Sequence, residues 1–452
     1  MTNSLSHSVT QIHIRTTHPL FPVCADLTVK AKVLYNTANY LIRQTFFAVR
    51  DWKALQDRKT HAAQWERLGA WGLTPENTPV YLNYYTLVRY LKSDPAYRAL
   101  PAKTAQAILK ESVDHDWQAC FRSLQTWKVH PEQFLGKPGL PHYKDQHSTV
   151  YFTNQQCHVK HGLLYFPKTL GIPPVQLPDE VPGKLMQVRI VPHAVTYTLE
   201  IVWQTPANPV PDTPPTRIAG IDLGLDNLIT CATTMADTVP FVVNGRGIKA
   251  YNQGYHRQKE HRQKQLAAGQ TWSKRLARLE EQRHRTFHNW FHQISQAVVQ
   301  WCLQHRIDTV VIGHNAGWKQ ASRLRKTTKQ HFATIPFNQL IAKIQYKAER
   351  VGIRVILTEE SYTSKASFLD GDTLPVWGQT ATVPVFSGKR IHRGLYRSAK
   401  GSLINADVNG AYNIIRKVFP KAFADGIAGV ALHPVRVSPH AGRSPQLSYL
   451  FR

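Results

Sequence analysis

The chain is short of acid. Its 452 residues carry 29 Asp and Glu against 56 Lys and Arg, a formal net charge of +27. Such a surplus adds self-repulsion unless a polyanion neutralises it, so the composition points to a nucleic-acid partner. Ribosomal-type disorder fits poorly, because 42% hydrophobic and 10% aromatic residues are enough to build a core. Cysteine is scarce as well: Cys24, Cys120, Cys157, Cys231 and Cys302 are far apart and form no Cys-x-x-Cys pair. That argues against a disulfide framework and leaves the thiols as ordinary reduced side chains. No apolar run approaches the roughly 18 residues of a membrane span, the cations are not set against one apolar face, and residues 1–10 lack the apolar core of a signal peptide. The expectation is a cytoplasmic protein, in a bacterium one in contact with the nucleoid.

What is present centres on Ile218 to Leu228. The apolar run Ile218-Ala219-Gly220-Ile221 reads as a strand buried on both faces. Asp222 comes at its end, followed by a glycine turn and a second strand. Far downstream, Asn405-Ala406-Asp407-Val408-Asn409-Gly410-Ala411 places another aspartate at the start of an apolar helix. Two carboxylates from distant segments can converge on divalent cations, as metal-assisted phosphodiester cleavage requires. Each alone would also suit an ordinary turn or helix start.

Around these segments the length allows two or three domains. Val9–Thr16 alternates as a strand. Ala25–Arg50 has helical spacing, with Asn36, Asn39, Arg43 and Gln44 expected on a solvated face. Trp52–Trp127 is helical and aromatic, most of those rings belonging to the core. Short strands at Thr149–Thr153, Leu163–Phe166, Gln187–Val191 and Ala194–Trp203 suggest half of a small barrel, and Pro206–Pro215 reads as a linker. Beyond Asp222 come a strand at Val239–Val243, a basic helical arm over Gly245–Gln304 broken near Gly269, and a buried strand at Asp308–Gly313. The basic run Lys319–Lys329 precedes an amphipathic helix ending at Gly352, a strand at Ile353–Thr358 and a helix at Ala406–Val418. Three strands, helices, strand, helix, strand, helix is the order of an RNase H-like α/β domain. The tail from Pro420 reads as mobile.

The Gly-Ile-Asp-Leu-Gly and Asn-Ala-Asp-Val-Asn-Gly-Ala segments resemble the first and third RuvC motifs of the TnpB/OrfB proteins of bacterial insertion sequences, relatives of the type V CRISPR effectors. The resemblance continues through Gly313–Gln320, Glu359–Asp370, Phe386–Arg390 and, near the start, Leu34–Gln44. It implies a multidomain α+β chain. Residues 1–48 and 130–205 would form an oligonucleotide-binding barrel, the wedge, with a helical recognition lobe inserted at 49–129. A linker at 206–216 would lead to a RuvC nuclease domain at 217–419 containing the arm 245–304 and an insertion at 364–402, and 420–452 would be a flexible tail. The implied activity is RNA-guided DNA cleavage beside a short target-adjacent motif, with a guide RNA from the transposon end, target double-stranded DNA and no membrane as partners. The alternative is a nuclease-inactive guided repressor. Oligomeric state stays open. Arg43, Arg246, Lys249, Lys274, Arg275, Arg278, Lys319, Arg323, Arg325, Lys389, Arg390 and Arg393 are the expected nucleic-acid contacts.

Two departures from the family bear on the chemistry. Most relatives carry a glutamate where this chain has Gly313, and two aspartates alone hold two Mg²⁺ ions poorly. Glu359 and Glu360 end the neighbouring strand. Side-chain alternation lets one of them reach the site easily, and the expectation is Glu360, with Glu359 as the alternative third ligand. Asp222, Glu360 and Asp407 are thus the expected catalytic set and the ligands of two Mg²⁺ ions. The second departure is that Lys365–Ser402 lacks the four cysteines of the relatives' zinc ribbon, so no zinc is expected there. His392 reads as a surface residue, and Asp370 and Asp372 as turn residues.

Overall fold

The computed structural model describes residues 5–55, 62–74, 78, 81–178, 181–206, 208–314, 335–376, 384–424 and 431–437. It divides into two units, one of residues 5–206 and one formed by the chain from 207 onward. Several sheets, each combined with helices, give a mixed α/β multidomain architecture.

In the first unit β1 (Leu5–Ile14) is followed by α1 (Phe21–Leu55), α2 (Ala62–Gly69), α3 (Tyr84–Leu91), α4 (Pro95–Arg98), α5 (Ala102–Ile108) and α6 (His115–Val129). Then come β2 (Val150–Thr153), β3 (His158–Lys160), β4 (Leu163–Tyr165), β5 (Val175–Gln176), β6 (Lys184–Pro192) and β7 (Tyr197–Pro206). One antiparallel sheet runs β1-β7-β6-β2 and a smaller one β3-β4-β5. The stripe Leu27, Ala31, Leu34, Ala38, Leu41 and Ile42 of α1 is buried, as its spacing requires.

The polar side of that helix differs from the solvated face expected. Asn39 is fully buried; it accepts from the Trp117 indole at 2.9 Å and donates to the Pro141 carbonyl at 3.1 Å. Asn36 exchanges two bonds with the Lys144 backbone at 2.8 and 2.9 Å. These amides satisfy a proline-interrupted loop that has no strand partner, which is where its backbone groups find their bonds.

The second unit begins with β8 (Ile218–Leu223), β9 (Asn227–Thr233) and β10 (Phe241–Asn244), an antiparallel trio. Helices α7 (Arg246–Lys264) and α8 (Lys274–Gln304) form the basic arm, with Gly269 between them at φ +80°. Next are β11 (Thr309–Gly313), α9 (Phe337–Arg350), β12 (Arg354–Thr358), a small antiparallel sheet of β13 (Lys389–His392), β14 (Leu395–Arg397) and β15 (Leu403–Asn405), then α10 (Ala406–Val418) and β16 (Val435–Val437). The central sheet has the order β12-β11-β8-β9-β10-β16, with β11 parallel to both β8 and β12.

Helices cover both faces of this sheet. Ala219, Ile221, Leu223, Val310 and Ile312 point toward Phe291, Ile294 and Val298 of α8 and Leu340 and Ile344 of α9. Ile218 and Val311 point the other way, toward Ala411, Ile414 and Ile415 of α10. The expected loose tail needs correction: Val435–Val437 pairs in parallel with Phe241–Val243. Tyr412 also donates to the Ala431 carbonyl at 3.0 Å. An unpaired edge of β10 is thereby closed.

Candidate active site

Alternation along β8 puts Gly220 and Asp222 on the face covered by α10. The helix lies so close that a Cβ on Gly220 would meet the Ala411 carbonyl oxygen at 2.3 Å, and one on Gly410 would meet Asp222 Oδ2 at 2.9 Å. Gly220 is therefore required by backbone approach, and Gly410 leaves room for the Asp222 carboxylate. Asp407 enters from the first turn of α10. Asn405 caps that helix, its Oδ1 accepting from the Asp407 and Val408 amides at 3.0 and 3.1 Å.

The third carboxylate comes from just beyond β12. Gly313 and Thr358 are register partners in the parallel pair β11–β12. A Cβ on Gly313 would meet Ile414 Cδ1 at 2.6 Å and Glu360 Oε2 at 3.0 Å. Glu360 thus fills space beside Gly313. Glu359 turns away: it pairs with Lys417, whose side chain is 6% exposed, and accepts from the Ser361 amide at 2.8 Å. Burial pulls the Glu359 carboxyl up, but the Lys417 and Ser361 bonds outweigh it and hold it below the usual range.

Asp222 behaves oppositely. Burial, then the Glu360 carboxylate, then that of Asp407, push its carboxyl well above the ordinary range, and Arg390 and a hydrogen bond from the Leu223 backbone only partly offset them. Asp407 has neighbours at both oxygens: Asn227 donates to Oδ2 at 2.6 Å and Arg390 to Oδ1 at 3.3 Å. Arg393, three residues on, pairs with Asp226, which also accepts from Lys249 at 2.9 Å. Burial raises the Asp226 carboxyl, but the Lys249 bond and the surrounding cations win and lower it.

Several residues that hold this arrangement went unread in the sequence. Asn409 and Asn413, one turn apart on α10 and fully buried, both donate to the Ala366 carbonyl at 2.8 Å. Asn409 also accepts from the Phe368 amide at 2.9 Å. They fasten the segment after Glu360 to the helix that carries Asp407. The i, i+4 spacing of two asparagines on an otherwise apolar helix was the available signal. Asn227 had no comparable signal, because nothing local connects it with Asp407.

The expected nucleic-acid contacts divide. Arg246, Lys274, Arg275, Arg278, Lys389, Arg390 and Arg393 are exposed. Arg43 is half-buried and donates to the Pro141 carbonyl at 3.0 Å, so it holds the same loop as Asn39. Lys249 is tied to Asp226 as above. Lys319, Arg323 and Arg325 lie outside the described residues. In the insertion, Asp370 and Asp372 do more than shape a turn. Asp370 accepts from Ser367 Oγ at 2.5 Å and the Ala399 amide at 2.7 Å. Asp372 accepts from the Ser367 amide at 2.7 Å and from Ser387. Carboxylates join loop segments here. His392 is exposed, as expected.

Among the described residues no helix is long and apolar enough to cross a membrane. No curated protein matches the chain. Among solved structures it is similar to that of a Cas12f1-sgRNA-target DNA complex, at 13% identity over 87% of this chain and 82% of that one with a TM-score of 0.49. It is also similar to CasPhi-2 (Cas12j) bound to crRNA and phosphorothioate-DNA, at 9% identity over 95% and 92% with a TM-score of 0.38. Residues 196–319 match the family described as OrfB_IS605, probable transposase, and residues 337–414 the Cas12f1-like TNB domain. The two matches take in the segments that supply Asp222, Glu360 and Asp407, and it is over these residues that the chain is similar to both families.

Proposed function

We propose that the chain is an RNA-guided DNA endonuclease of the TnpB type, with Asp222, Glu360 and Asp407 as its catalytic carboxylates. The observation that carries this reading is the meeting of three acids from three distant segments around one strand end, where burial first and then the neighbouring carboxylates raise the Asp222 carboxyl. Carboxylate oxygens are the donors Mg²⁺ prefers, and a pair of such ions supplies an activated water and stabilises the leaving oxygen. Among the described residues no three His, Cys, Asp or Glu side chains are already close enough together to enclose a metal ion. The donor chemistry fits, and Arg390 supplies positive charge to Asp407. Asn227 would orient Asp407. The sheets and helices of residues 5–206 would act as wedge and recognition lobe, and 217–419 as the RuvC-type, RNase H-like domain. In such a protein base pairing reads the sequence while exposed cations grip backbones.

A second reading, a guided repressor that does not cut, draws on two observations. Gly313 lacks the relatives' acid, and Arg390 occupies an oxygen of Asp407 that a metal would need. One experiment separates the readings. Sequencing RNA that copurifies with the protein should recover one enriched structured species from sequence beside the gene. The loaded protein should then cut a matched duplex with Mg²⁺. Only degraded cellular RNA would sink the guided reading, and specific binding without cutting under any divalent metal would establish the repressor.

A further inference from the structure

A second charged cluster lies away from the carboxylates, between α8 and α9. His292 of α8 gathers two lysines of α9: Lys343 Nζ donates to its Nε2 at 2.8 Å, and Lys347 Nζ to its carbonyl oxygen at 2.7 Å. The helices pack on the sheet through their apolar stripes, so the lysine spacing of four residues puts both amines on one side of α9. His288 is one turn away on α8, its ring 4.5 Å from that of His292.

Among the described residues no carboxylate forms an ion pair with either lysine. The charges acting on His292, Lys343 and Lys347 among the described residues are one another and His288. Residues 315–334, which lead into α9, contain no Asp or Glu. Burial, and then Lys343, push the Lys347 ammonium down to about 8, and burial followed by the lysines and His288 takes His292 down to about 3. A neutral imidazole is what Lys343 needs as an acceptor. The fold thus holds two ammonium groups together against their repulsion, half-buried but still open to solvent.

We infer that Lys343, Lys347 and His292 form a binding site for the phosphodiester backbone of a nucleic acid, at which an anionic oxygen takes the place of the missing carboxylate. Clustered ammonium groups recognise phosphate as point charges and carry no base preference. A nucleic acid is favoured over a free anion because the whole chain, at +27, is matched to a polyanion. The inference rests on the reading that the chain binds nucleic acid, and is independent of whether it cuts.

The test uses full-length protein stripped of RNA, without divalent metal, and a fluorescein-labelled 30-nucleotide RNA of random sequence. Binding is followed across a salt titration for wild type, Lys343→Gln/Lys347→Gln and the control Lys30→Gln, whose charge Asp26 already neutralises at 2.7 Å. The double variant should bind about tenfold more weakly at moderate salt and lose between one and two in its log–log salt slope, while the control stays at wild type. In parallel, brief acetylation at pH 8 read by mass spectrometry should label Lys347 ahead of ordinary lysines, and the RNA should protect it. Unchanged slope and no protection, with wild type binding normally, would overturn the site. Protection by inorganic phosphate as complete as by RNA would reassign it to a free anion. Failure of the wild type to bind RNA at all would remove the nucleic-acid reading and this inference with it.

Discussion

The carboxylate pocket at the end of β8 and the lysine pair between α8 and α9 are mirror images in charge. In one, Asp222, Glu360 and Asp407 crowd together; in the other, Lys343 and Lys347. Each raises the cost of its own charged form, in opposite directions: Asp222 holds its proton more tightly, Lys347 less. They differ in what the fold offers as relief. The acids have Arg390, borrowed from an exposed hairpin. The lysines have a neutral histidine, which orders them without neutralising them. The lesson is that unrelieved like charge is tolerated where an opposite charge is expected to arrive.

The comparison breaks most visibly through the acids. Asp222→Ala or Asp407→Ala should lower Mg²⁺-dependent cleavage of a matched target by about 10²–10³-fold or more, with RNA and duplex binding close to wild type in the same gel-shift series. The lysine double variant should show the reverse pattern, weaker binding with little loss of cutting once the protein is saturated.

Within the acidic site, Glu360→Gln should cost as much cleavage as Asp222→Ala. Glu359→Gln should leave cleavage nearly intact but unfold earlier in denaturant, by about 1–3 kcal/mol. It strands the buried Lys417, and the cost falls short of a fully buried broken pair because Glu359 keeps some solvent contact. Cleavage lost only at Glu359 would reverse the assignment. Gly313→Glu should harm the wild type by crowding Ile414 and Glu360, and in the Glu360→Gln background it should restore part of the cutting if both acids serve one position.

Gly313→Ala is smaller. Its methyl meets the flexible end of Ile414 and the Glu360 carboxylate, so a destabilisation of about 1 kcal/mol with modestly slower cutting is expected, measured by denaturant midpoint and single-turnover rate.

The subtlest effects are gains in stability. Asp222 has a folded-state pKa above its unfolded one, so it contributes nothing unfavourable in acid and its full penalty above the folded value. Asp222→Asn should therefore melt about 2 °C higher at pH 7.5, with the gain vanishing toward pH 4. Lys347 runs the other way: its folded value, about 8, lies below the unfolded one near 10.4. Its penalty is complete below pH 8 and gone above the unfolded value, so a stability gain in Lys347→Gln should shrink between pH 7 and pH 10.5. Thermal melts across both pH ranges check the two signs.

Much of this was legible beforehand because it is local. Apolar runs marked β8, β9 and β11, the 3.6-residue period marked α9 and α10, and Gly269 marked the break between α7 and α8. Side-chain alternation said that one of Glu359 and Glu360 would reach the site easily, with Glu360 the expected one and Glu359 the alternative. What the sequence by itself determined is therefore the elements, the surplus of cations and a candidate set of acids. Only the tertiary structure decided who stands beside whom. Asn39, expected in solvent, is buried under Trp117 because a proline-broken loop needs its amide. Val435–Val437, expected to be loose, is a strand because β10 had an open edge. Asn227 reaches Asp407 across 180 positions of sequence, and His292 gathers Lys343 and Lys347 from another helix. Periodicity reports which face of an element is apolar; it carries no information about which distant polar group that element will meet, because that is settled by packing.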